Sequence, residues 1–290
     1  MLNRSTFALL VCLAACASGP EIPKSQQASQ GESAQAQALF EKADALEKAA
    51  SKSEDVLPVL KAWEDVLAVA PDHKVALVHA ASFHYKHGAD VLTDADKDAR
   101  LATYLKGREY GLRAMATNPR FRAAYEKDGD MQKNILLLDK DDSEGMYWAG
   151  LNWAKWGELY GILRAAIDIP KVKALMDRVQ ELNTTYVGNG TDRFFMGYWV
   201  SIPGFAGRDP NKSKAAYDHA VQLSPDCIAN HATFAFYYAK DKEDRPLFDS
   251  LLKKVLEAPA DAPASPYLLI NNLARAEAKR YADRAKEWFE

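Results

Sequence analysis

No segment of this chain shows the alternating Val/Ile/Thr pattern of a strand, which excludes a β or α/β architecture and leaves an all-α fold. Beyond Cys16 no run approaches the about 18 apolar residues that a membrane-crossing helix requires, so contact with a bilayer is expected only through an anchor. Cysteine is scarce: of the three, Cys12 and Cys16 lie in an N-terminal leader, and Cys227 by itself cannot close an internal disulfide. Neither sign of charge dominates. Lys and Arg number 37 against 40 Asp and Glu, interleaved throughout with a formal net charge of −3, and no basic face points to nucleic acid. Enzyme signatures are missing as well: there is no G-x-S-x-G elbow, no H-E-x-x-H, no Walker glycine loop and no dinucleotide fingerprint behind a strand. Binding is expected rather than catalysis.

What is present begins with the leader. Met1 to Arg4 is a charged n-region, Thr6 to Ala15 is a short apolar h-region, and Leu13-Ala14-Ala15-Cys16 has the form of a bacterial lipobox. The reading is a lipoprotein signal peptide over residues 1–15, cleavage before Cys16 and lipid on its thiol; an ordinary signal peptide cut near Ala15 is the alternative. Residues 16–33 are then the lipidated cysteine and a Ser-, Gln-, Pro- and Gly-rich tether, and residues 34–290 one helical domain. Ala17 and Ser18, with no Asp behind the cysteine, place the expected anchor on the periplasmic face of the outer membrane.

Apolar residues recur at helical spacing from Gln35 onward, with Leu39, Ala43 and Leu46 on one face of a first helix and Leu60, Trp63, Val66 and Leu67 on that of a second. Helices stop at Pro71-Asp72, Asn118-Pro119 and Ser224-Pro225-Asp226. Around the last stop, Tyr217 and Ala220 precede the proline, while Phe234, Ala235 and Tyr238 follow it where a paired helix needs large, small and aromatic side chains. Pro71 to Pro119 is less than half the distance from Pro119 to Pro225, so no clean ladder of ~34 residues runs through the chain. The expectation is a divergent tetratricopeptide-like array of three to five helix pairs with insertions, a loop over Glu257 to Pro266, and a C-terminal helix from Tyr267 to Phe289 capping the stack.

Four of the six tryptophans concentrate in the middle, at Trp148, Trp153, Trp156 and Trp199. On a helix Trp148 and Asn152 share one face and Trp153 and Trp156 another, so aromatic surface points in more than one direction. Two readings stand: an aromatic-lined pocket with Asn152 as a polar contact, or a thick core between helix pairs. His79, His84 and His87 fall within an arc of about 140°, but His84 sits at a packing position of the repeat register, and no metal is expected there. Asp139 to Gly150 begins like a calcium loop, yet Gly150 stands where a bidentate Glu is needed; helix capping ahead of Met146 explains it better. Gly188-Asn189-Gly190 reads as a turn and Cys227 as a packed thiol. Were the chain an enzyme, Glu158 and Asp168 would be the carboxylates to inspect.

Two stretches carry a family resemblance. One runs from Leu136 through Asp139, Met146, Tyr147, Trp148 and Trp153 to Trp156; the other runs from Tyr198 through Pro203 and Gly207 to Asp209 and on to Lys214, Tyr217, Ala220 and Pro225. Together they resemble the T-component (TatT) family of TRAP transporters, whose members are exported, typically lipidated and tetratricopeptide-like. The resemblance implies an accessory lipoprotein of a TRAP-type uptake system that binds the solute-binding protein and passes a small hydrophobic or organic-acid ligand through a pocket or pore. It also implies assembly of subunits as trimers, and no cofactor. The positions matched for the ligand are Tyr147, Trp148, Asn152, Trp153, Trp156, Tyr198, Trp199, Pro203 and Phe205. The alternative is a general cell-envelope scaffold with tetratricopeptide repeats for protein binding, which would have a filled aromatic core.

Overall fold

The computed structural model describes residues 34–289, and the lipobox and tether, Cys16 included, lie outside them. Thirteen α-helices and no strand occur among the described residues. The N-terminal half holds α1 (Ala34–Ala49), α2 (Val56–Val69), α3 (Lys74–Lys86), α4 (Lys97–Ala116), the short α5 (Pro119–Asp128) and one-turn α6 (Met131–Asn134), then α7 (Ser143–Tyr160) and α8 (Ile162–Leu182). The C-terminal half holds α9 (Tyr186–Ser201), α10 (Pro210–Leu223), α11 (Ala229–Phe234), α12 (Arg245–Leu256) and α13 (Leu268–Phe289). α3 and α11 each run on into a wider π turn, His87–Val91 and Ala235–Ala239.

The helix boundaries follow from side-chain caps. Asn118 accepts hydrogen bonds from the amides of Arg120 and Phe121, with Pro119 in the first turn. Asp209 does the same for α10 ahead of Pro210, and Asp244 for α12. Of the prolines that read as stops, Pro119 is thus equally the start of the next helix, whereas Pro71 and Pro225 lie in turns ahead of α3 and α11. The Asp139 region is a cap, since its carboxylate accepts from the amide of Asp141 at 3.0 Å, and buried Asp142 pairs with Lys74 at 2.6 Å.

Sequence-adjacent helices pack as α1 on α2, α3 on α4, α7 on α8, α9 on α10 and α11 on α12, with α5 and α6 inserted and α13 against α11 and α12. In the α10–α11 pair Tyr217 stacks on Phe234 at 4.1 Å and Phe234 on Tyr238 at 4.4 Å, over buried Ala220 and Ala235. The tightest packing joins α4 to α7. A Cβ on Gly111 would stand 2.6 Å from the amide nitrogen of Ala149, so only glycine lets the two backbones come this close. That seam centres α7 in the protein, with neighbours on several sides, which is why its aromatic residues point in different directions.

The two halves meet sparingly. α7 and α8 touch α9, and polar links join the halves: Trp148 to the Tyr186 hydroxyl at 2.8 Å, Gln180 to Asp192 at 3.1 Å, Lys155 Nζ to the Tyr237 hydroxyl at 2.9 Å, Asn272 to the Ser51 carbonyl at 2.8 Å, and Arg284 to Asp94 at 3.1 Å. Between them lies a large void.

Candidate functional site

The void has a volume of about 1770 Å³, well beyond the ~300–1000 Å³ of most small-molecule sites, and both halves line it. Its rim includes the exposed residues Arg280, Asp283 and Arg284 of α13, so it reaches the surface. The wall is tyrosine-rich. Tyr85, Tyr104, Tyr147, Tyr186, Tyr237 and Tyr281 all face it, and burial pushes the phenol of each above its usual range, so the hydroxyls stay protonated at neutral pH.

At one end four rings form a box. Tyr147 meets Tyr186 edge-on at 5.3 Å, Trp148 lies 5.7 Å from Tyr85, and the Trp148 indole donates to the Tyr186 hydroxyl at 2.8 Å. Two cations flank the box. Lys86, on α3, donates to Ser82 one turn back and sits over the rings of Phe83 at 4.3 Å and Trp148 at 4.8 Å. Burial lowers its pKa to about 8, against the pull of Glu47 and Asp90. Arg193, on α9, shares a hydrogen bond with Tyr147 and donates to the carbonyls of Val187 and Gly188, each at 2.6 Å, and to Asn230 Oδ1 at 2.9 Å.

The last contacts explain an unusual start to α9. Val187, Gly188 and Asn189 take left-handed backbone angles with φ of 48°, 59° and 62°, so the expected turn is one residue earlier and tighter than Gly188-Asn189-Gly190 suggests. A β-branched residue there is strained by ~1–2 kcal/mol, and the Arg193 guanidinium holds the strained carbonyls. Gly188 also lets Cys227 pack close: a Cβ would meet the thiol sulfur at 2.7 Å. Cys227 is buried, as a packed thiol is expected to be.

A second polar centre also lines the void. Lys155 of α7 pairs with Glu158 at 3.0 Å and donates to Tyr237. Burial opposes its charge, but Glu158 and the surrounding tyrosines hold its pKa well above the ordinary value, while Lys155 lowers that of Glu158. Asp90 also faces the void, where burial and then the charge of Glu277 raise its carboxyl to about 7.

Of the nine ligand positions matched in the sequence, Tyr147, Trp148, Tyr198 and Pro203 line this void. The other five do not. Asn152 is fully buried and spends its amide on the carbonyls of Ala81 and Trp148, at 2.9 and 2.8 Å, tying α7 to α3 beneath Gly107. Trp153 fills core beside Arg108, and Trp156 stacks on Tyr160 at 4.8 Å between Arg108 and Arg164. Trp199 borders a separate groove of about 270 Å³ with Lys212 4.4 Å above its ring. Phe205, 96% exposed, tips a short turn behind Pro203 that Gly207 closes at φ 92°. Arg208 anchors that turn by an ion pair to Asp241. Sequence reasoning missed Lys86, Arg193, Tyr85, Tyr186 and Tyr237, which are scattered over three elements; the one available signal was the abundance of tyrosine near charged residues.

The remaining candidates have structural partners. His79 pairs with Glu47 at 2.8 Å and stacks on Trp63, and His84 lies between Thr103 at 2.8 Å and Glu64 at 3.1 Å. Among the described residues no three His, Cys, Asp or Glu side chains gather as a metal set. Asp168 is buried away from the void, paired with Arg164 at 2.6 Å, so it and Glu158 form no acid/base pair across a cleft.

A profile of the TRAP transporter T-component family matches residues 53–289, nearly the whole described chain. The chain belongs to this family. It is therefore a component of a TRAP transport system rather than a member of an enzyme family. A search of curated proteins finds none that matches it.

Proposed function

We propose that this T-component is a periplasmic accessory lipoprotein, anchored through Cys16 to the outer membrane, that docks the system's solute-binding protein and receives a small hydrophobic or organic-acid ligand in the void between its halves. What carries the reading is the large tyrosine-lined void in a chain of this family. A protein that served only as a scaffold would be more stable with that volume filled, because each unfilled buried wall forgoes packing. The helix pairs are read as a divergent tetratricopeptide-like array, and self-association as trimers belongs to the same proposal.

The test is affinity capture from the native envelope with tagged, lipid-anchored protein, followed by mass spectrometry. The expected result is recovery of a two-lobed solute-binding protein, with recovery reduced when Trp148 or Tyr198 is replaced by Ala in a still-folded variant. Recovery of cell-wall or outer-membrane assembly factors in its place would overturn the reading in favour of an envelope scaffold.

A further inference from the structure

Among the described residues the most exposed large apolar side chain is Phe205, at 96%. It does not stand alone. Pro203, Gly204, Phe205, Ala206 and Gly207 are all exposed, and none of these five residues has a polar side chain. The turn stands off the body of the protein, since a Cβ at Gly204 or Gly207 would meet nothing within 4 Å. Single exposed apolar residues need no explanation, but an uninterrupted apolar tip marks contact with something outside the molecule. Much of the tip's backbone is paired within the turn. The amides of Ala206 and Arg208 donate to the Pro203 carbonyl at 2.9 and 3.4 Å, and that of Gly207 donates to the Gly204 carbonyl at 3.0 Å. Such pairing is what a segment needs before it leaves water for hydrocarbon, where an open amide is costly.

The base of the turn is of another kind. The Asp209 amide donates to the Trp199 carbonyl at 2.9 Å, so the turn closes on the half-buried Trp199, whose ring carries Lys212 Nζ at 4.4 Å and Lys173 Nζ at 5.7 Å. The acids there are engaged: Asp209 caps α10, Asp241 pairs with Arg208, and Asp177 pairs with Lys173. An indole with ammonium groups above it, behind an apolar tip, repeats the order of a bilayer interface, where rings sit at headgroup level and lysines reach outward. A protein partner would need a pocket shaped for one ring on a convex tip, whereas a fluid bilayer needs no matching cavity. We infer that the turn over residues 203–207 dips into the bilayer interface, Phe205 foremost, with Trp199 and Lys212 at headgroup level. This second membrane contact rests on the proposed lipid anchor only to keep the domain within reach, and the tether over residues 16–33 spans roughly 20–25 Å as a random coil.

The experiment uses the lipid-anchored protein from the envelope, reconstituted in phosphatidylethanolamine–phosphatidylglycerol vesicles with and without phospholipid brominated near the top of its acyl chains. Over the background of the six native tryptophans, Phe205→Trp should add emission that is shifted to the blue and quenched about twofold by bromine. Ala206→Asp in the same protein should relieve most of that quenching, because a carboxylate at the tip resists leaving water. Both positions are exposed, so neither change threatens the fold. Protein that floats with the vesicles while the Phe205→Trp emission stays unquenched would overturn the inference and leave the anchor standing, as would quenching that Ala206→Asp does not relieve. Protein that does not float at all would overturn both. Emission that shifts only when a solute-binding protein is added would assign the tip to protein docking and overturn the membrane contact.

Discussion

Lys86 makes the most exacting test of the electrostatics. Its pKa falls from 10.5 to about 8 through burial, which corresponds to about 3 kcal/mol of disfavoured charge at neutral pH. The faces of Phe83 and Trp148 offset roughly 0.5–2 kcal/mol of this in compensating attraction, and Ser82 gives one hydrogen bond on the same helix. Lys86→Met retains most of the stem and removes the charge, so the variant should be more stable than wild type at pH 7 by about 1–2 kcal/mol. The sign with pH follows from proton counting. A cation whose folded pKa is depressed binds fewer protons than the unfolded chain between about 8 and 10.5, so wild-type stability rises across that window and the advantage of the variant shrinks. Urea denaturation at pH 7 and again near pH 10 measures both. A variant less stable than wild type at pH 7, or an advantage that does not change with pH, would refute the claim that Lys86 is held charged at a cost.

Other perturbations test the packing and the remaining titration. Gly111→Val should destabilise by about 2 kcal/mol or more, because its Cβ would lie 2.6 Å from the Ala149 backbone, whereas Gly204→Ala, with nothing within 4 Å, should be near neutral in the same unfolding assay. Asp90→Asn should stabilise by on the order of 2 kcal/mol at pH 8 and by nothing near pH 4, since a carboxyl raised from 3.8 to about 7 contributes stability below its unfolded pKa and loses it as pH rises through 7; denaturation at the two pH values checks it. Trp153→Ala should cost ~3–5 kcal/mol as a fully buried ring, and Trp199→Ala only ~1 kcal/mol as a half-buried one under lysines, both read from denaturant midpoints.

The helices were legible because their signals are local. Asn118, Asp209 and Asp244 cap within three residues of themselves, and Tyr217, Phe234 and Tyr238 sit at spacings that a helix brings into register. The seam between α4 and α7 was not legible, because Gly107 and Gly111 gain their meaning only from Ala149 and Asn152, far along the chain. The same reason split the site. Tyr147 and Trp148 were found from their density on one helix, but that density also drew in Trp153 and Trp156, which a helix with neighbours on several sides turns away from the void. Asn152 looked like a polar ligand contact until its amide proved to be committed to two backbone carbonyls. Lys86 and Arg193 were invisible for the opposite reason: in a chain rich in charge, only their burial beside the aromatic box distinguishes them, and burial is a property of three dimensions.

That difference also explains why the void persists. A helical array of this size has enough aromatic residues to close its centre, and Tyr85, Tyr186, Tyr237 and Tyr281 stand where leucines would pack without hydroxyls to satisfy. Tyr186 is satisfied by Trp148, Tyr237 by Lys155 and Tyr281 by Glu277, each across a different pair of elements or within α13, so the hydroxyls fix the wall's shape while leaving its interior open. Polar links of this kind resist collapse of the two halves onto one another, since collapse would break them. Stability and an open chamber therefore pull against each other at the same residues, and the gain in stability expected of Lys86→Met is one measure of that opposition.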